Sequence, residues 1–163
     1  MKQLFNSLTK TSVFASLVLA TSLLFSSCAK DSGYVSASVT YSLSGNASGS
    51  QAVPASSNSN GSGTFSGTYN SSTKVMTYTS SWSNLTGAPV SGGLYSGLAG
   101  QVGSSIAVWS LGGGLGASGS FSTSTTLNAD QEAKLLSGQT YYILSTTANA
   151  SGEIRGQISA SAQ

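Results

Sequence analysis

Few side chains in this sequence can do chemistry. Of its 163 residues, 6% are charged and none is histidine. Glu153 and Arg155 stand two apart in "NASGEIRGQI", close to the end of a chain that is otherwise serine, threonine and glycine with scattered apolar residues. Such a pair can be an ion pair, part of a binding site, or a catalytic carboxylate beside a cation. Residues i and i+2 of a strand share a face, with their backbones roughly 6.5–7 Å apart. Arg155 can therefore pair with Glu153 or reach a neighbouring strand. We expect a mainly structural role: Arg155 fastens the last strand to a carboxylate or to backbone carbonyls, and its stem covers apolar surface. A binding or catalytic pair is the alternative.

The remaining candidates support little catalysis. Asp130 and Glu132 lie two apart on a helical stretch and do not face each other. The many serines lack a histidine base. Paired carboxylates for glycoside hydrolysis need about 5–10 Å across a cleft, which leaves only Glu153 with Asp130 or Glu132. "SLGGGLGASG" has neither the lysine nor the following helix of a phosphate loop. Without histidine, and with one cysteine, no transition-metal cofactor is expected. The chain reads as a non-enzyme.

That cysteine, Cys28, has a different context. Lys2 and Lys10 precede a run of 13 mostly apolar residues, Val13–Phe25. The run is shorter than the about 20 residues a bilayer core demands, and it has the length of a signal-peptide core. "LFSSC" resembles the lipobox of bacterial lipoproteins, with Phe25 in place of the usual leucine. The resemblance implies a signal peptide over 1–27, acylation of Cys28, and a short tether over 28–33 carrying Lys30 and Asp31. A lone thiol cannot close a disulfide, and two or more acyl chains give stable anchoring. The expected address is an exported protein, held by lipid to the bacterial cell envelope at the outer membrane, facing the periplasm or the surface. Loss of Lys2 and Lys10 would leave four basic against four acidic residues. A neutral domain argues against nucleic acid as a partner, since phosphates demand clustered cations.

The elements that must position these residues are mostly strands. "YVSASVTYSLSG" places Val35, Ala37, Val39, Tyr41 and Leu43 on one face. Strands follow at Thr64–Tyr69 and Lys74–Trp82, a hairpin with Met76, Tyr78 and Trp82 on one face, then at Ser104–Leu111 and Ser120–Leu127. "NADQEAKLLSG" is the exception. Asn128 caps a helix near 129–137, with Gln131 as capping-box partner, acids in the first turn and Gly138 at its end. Ala129, Ala133 and Leu136 share one of its faces. "TYYILST" and "EIRGQIS" close the domain, and adjacent Tyr141 and Tyr142 point to opposite faces, so one should face outward. Seven to eight short strands and one short helix give an all-β domain over 34–163, a β-sandwich or a Greek-key barrel.

The order "YSLSGNASGSQAVP", "LNADQEAKLLSGQTYYI" and "ANASGEIRGQI" resembles the CHRD domain, the module of the chordin inhibitors and of many secreted microbial proteins. The resemblance runs from about Val39 to Ile158. It implies an immunoglobulin-like β fold, a non-catalytic interaction module, and a structural role for Glu153, Arg155, Gly156 and Asn128 in shared motifs. Family members commonly carry a His-x-His-Gly segment; here the corresponding place holds Gly93, Leu94 and Tyr95. The expected partners are the membrane, through lipid on Cys28, and a protein or glycan ligand. Trp82, Trp109 and the tyrosines are the stacking candidates for a glycan, with Trp82 more at home in the core. A passive structural role in the envelope is the third reading.

Overall fold

The computed structural model describes residues 38–56 and 58–163. Cys28, the signal segment and the tether lie outside them. Eight strands form one antiparallel sheet: β1 (Thr40–Ser48), β2 (Ser62–Asn70), β3 (Val75–Ser83), β4 (Pro89–Ser96), β5 (Ser104–Val108), β6 (Gly119–Thr126), β7 (Thr140–Thr146) and β8 (Ile154–Ala162). Helix α1 (Ala129–Leu136) joins β6 to β7. The order in the sheet is β5-β4-β7-β8-β1-β2-β3-β6. Of the two architectures expected, this is the barrel, wound as a Greek key: the helical connection brings β7 back beside β4.

The barrel is nearly closed. Its seam lies between β5 and β6, where side chains replace ladder hydrogen bonds. Trp109 leaves the end of β5 and meets Phe121 of β6, ring centroids 5.5 Å apart. Its indole N–H donates to the Tyr78 hydroxyl at 2.9 Å. Inward positions follow the period of two. Leu43, Phe65, Met76, Tyr78, Leu94 and Ile158 are all buried. Phe65 stacks on Tyr78 at 4.9 Å and meets Tyr142 at 5.2 Å. Outward positions of β1, β2, β3 and β6 are almost all serine or threonine, some bonded across strands, as in Thr79 with Ser122 at 2.7 Å.

The helix starts as its sequence dictates. The Asn128 side chain accepts from the Gln131 amide at 2.9 Å, and the Gln131 side chain accepts from the Asn128 amide at 3.0 Å. Gly138 follows the last turn with φ +70°, a conformation that costs glycine nothing. The docked face differs from the expected one. Ala129, Ala133 and Leu136 face solvent, and Leu135 is fully buried with Leu127 just before the cap. Two alanines carry little apolar area, so one leucine and the incoming chain set the rotation of a helix this short.

Candidate functional site

The structure separates Glu153 from Arg155. They do not pair, because β8 begins only at Ile154 and the two-residue repeat does not bind Glu153. Glu153 sits at the end of the barrel opposite α1 and is fully buried. One carboxylate oxygen accepts from the Ser59 hydroxyl and the Thr86 amide, both at 2.7 Å. The other accepts from the hydroxyls of Thr86 at 2.6 Å and Thr146 at 2.5 Å. Burial alone would push the carboxyl up, but the hydroxyls of Thr146, Thr86 and Ser59 and the Thr86 amide outweigh it and hold the pKa at about 2. Four donors leave this carboxylate no capacity for substrate. It ties the 59–61 segment, the 84–88 segment, β7 and β8 together.

Arg155 has an environment of another kind. Its side chain is on the outer face of the barrel, yet the residue is only 2% exposed. The guanidinium lies over the Tyr141 ring, 3.6 Å from the centroid. Tyr141 stacks in turn on Tyr95 at 5.5 Å with planes 17° apart. The register explains the column. Tyr95 of β4 stands opposite Tyr141 of β7, and Arg155 of β8, opposite Ile143, reaches the diagonal neighbour. The 97–103 loop closes over them: Nη2 of Arg155 donates to the Leu98 carbonyl at 2.7 Å, and the Tyr141 hydroxyl accepts from the Gly103 amide at 3.1 Å. Tyr141 and Tyr142 do point to opposite faces as expected, Tyr142 into the core and Tyr141 outward, but that loop buries Tyr141, so neither ring is exposed.

Arg155 thus fastens β8 through a backbone carbonyl and covers apolar surface, as expected. Among the described residues, however, no carboxylate lies within 4.0 Å of it. Glu132 instead takes Lys74 at 2.6 Å, and that ammonium holds the Glu132 carboxyl below its usual range. Burial pulls the Arg155 pKa down, but a guanidinium starts above about 12 and stays charged at neutral pH. Among the described residues, this buried cation has one hydrogen bond, an aromatic face and no counter-charge.

Two small clefts share Arg155 and Val53 as walls. One, of about 200 Å³, runs over Tyr141 and Tyr95 between Val53, Val102 and Ser151. The other, of about 150 Å³, lies between Gln51 and Gly100. A broader hollow of about 700 Å³ covers the outer face of β2, β3 and β6, but it is shallow, walled by serine and threonine, and holds no charge. The 200 Å³ cleft is therefore the place where chemistry can be selective.

The other sequence candidates have plain roles. Asn128 caps α1. Gly156 faces Tyr142 across β7 and β8. A Cβ there would lie 2.6 Å from the Asn46 carbonyl oxygen and 2.7 Å from the Tyr142 ring, so only glycine lets that ring into the core. Trp82 and Trp109 are buried, which removes them as stacking platforms. Gly93, Leu94 and Tyr95 lie on β4, with Leu94 pointing into the core and Tyr95 in the cleft.

No curated protein and no solved structure matches the chain. The family model of the CHRD domain matches residues 43–158, which takes in the barrel from β1 to β8, the capped helix, the Glu153 cage and the Arg155 column. The chain belongs to the CHRD domain family.

Proposed function

We propose that this chain is a non-catalytic binding module, tethered to the cell envelope through lipid on Cys28, whose ligand enters the cleft walled by Arg155, Tyr141 and Tyr95. The observation that carries this reading is the contrast between the two charges. Glu153 is saturated by four donors. Arg155 is buried with one carbonyl acceptor and no carboxylate among the described residues, and a buried charge without a partner is costly unless something supplies one. Commitment of the carboxylate to the fold also supports a role without catalysis.

Immobilised full chain in detergent, offered solubilised envelope material, tests the reading. Val102 is 74% exposed, so Val102→Glu should fold normally while placing a carboxylate at the mouth of the cleft. Wild type should retain an envelope component that Val102→Glu loses, with unchanged thermal unfolding. Equal retention by both proteins, or retention by neither, contradicts the reading; the latter would favour a passive envelope role.

A further inference from the structure

We infer that the ligand of this cleft is the carboxyl-terminal end of a peptide, its carboxylate on Arg155 and its last side chain, small or apolar, between Val53, Val102 and Ile143. The inference rests on the binding reading above and adds the chemistry of the ligand. A guanidinium has five N–H donors in a flat fork, and the Leu98 carbonyl takes one at Nη2. One face of the fork is covered by Tyr141. Arg155 is nine-tenths buried and walls the cleft, and among the described residues nothing accepts from its remaining N–H groups, two of which can serve one carboxylate in parallel. A single positive charge balances a monoanion and leaves a dianion such as phosphate half neutralised.

The remaining walls choose among carboxylates. Val53, Val102 and Ile143 give an apolar side; the hydroxyls of Ser91, Ser145 and Ser151 give a polar one. A peptide end offers both within one residue, an apolar side chain and amide groups beside the carboxylate. The aromatic ring beside the cation offers no free face to an acidic sugar, because both faces of Tyr141 are taken, by Arg155 and by Tyr95. At about 200 Å³ the cleft is below the size of sites for drug-sized molecules and suits a chain end.

Calorimetric titration of the full chain in detergent micelles decides the matter. The probes are N-acetyl-Ala-Val as free acid, the same dipeptide as carboxyl-terminal amide, and trigalacturonate. The acid should bind at least tenfold more tightly than the amide and than trigalacturonate. Val102→Glu should abolish its binding, and Arg155→Lys, which keeps the charge but not the fork, should lose most of the preference for acid over amide. Equal binding of acid and amide, tighter binding of trigalacturonate, or no binding of the acid overturns the inference. If it fails while Val102→Glu still loses the envelope component, the cleft stands as the site and only the peptide assignment falls. If that variant retains the component as well, both readings fall.

Discussion

Glu153→Gln is the most informative change to the fold, because its effect follows from counted donors. The carboxylate accepts four hydrogen bonds in a site closed to water. Glutamine keeps the shape but loses the charge, and its amide donates toward hydroxyls that now donate to Glu153. The Thr86 amide cannot turn away, so the glutamine oxygen must stay with it and the hydroxyls must reorient. The fall of the Glu153 pKa from 4.5 to about 2 corresponds to roughly 3 kcal/mol of folding stability at neutral pH. Glu153→Gln should lose most of this, about 2–3 kcal/mol, or about 10 °C in Tm for a domain of this size. The sign with pH is fixed. A depressed folded-state pKa contributes stability that is complete above the unfolded value near 4.5 and is lost as pH falls through about 2. The gap between wild type and Glu153→Gln should therefore be widest at pH 6–7, narrow below pH 4.5 and nearly vanish at pH 2. Taking the difference removes the contribution of Glu132, which both proteins carry. Urea denaturation at several pH values reads it directly. A gap that is absent at pH 7, or that persists unchanged at pH 2, would refute the reasoning.

Three further changes test other parts of the account. Gly156→Ala puts a methyl group against the Asn46 carbonyl and the Tyr142 ring and should cost about 1–3 kcal/mol or more in denaturation experiments, since backbone cannot yield cheaply. Asn128→Ala removes the side chain that caps α1 and should cost about 0.5–2 kcal/mol, visible in the same denaturation curves and as faster amide exchange in the first turn. Cys28→Ser should leave an unprocessed precursor or release the protein to the soluble fraction on cell fractionation; normal maturation with full membrane retention would contradict the lipid anchor.

What could be read from the sequence was local. Asn128, Gln131 and Gly138 sit at fixed offsets, so the helix and its cap were legible. Clean alternation marked β2, β3 and β6. β4 was not legible, because "PVSGGLYS" has no regular alternation: Gly92, Gly93 and Leu94 are buried in succession, under covering on both faces of the strand. The outward burial of Tyr141 escaped for a related reason. A strand pattern assumes that one face meets water, and here the 97–103 loop folds over it. The cage around Glu153 is built from Ser59, Thr86 and Thr146, of which two lie 94 and 67 residues away, in a chain where such residues are everywhere. The acceptor for Arg155 is a main-chain carbonyl, which carries no sequence signal at all. Arg155 itself was marked by rarity, but whether its partner would be an acid or a carbonyl was decided only by the fold.

Glu153 is committed to the fold, and the proposed binding role rests on Arg155, buried at the wall of the cleft with no carboxylate beside it among the described residues. Arg155 is the sole arginine of the chain, so arginine-selective ¹⁵N labelling gives one guanidinium signal to follow by nuclear magnetic resonance. The account predicts a single Nε–H resonance that exchanges slowly with water, as burial requires, and that shifts on addition of N-acetyl-Ala-Val acid but not of its amide. A resonance that exchanges like a free arginine, or that is moved by neither peptide, would contradict it.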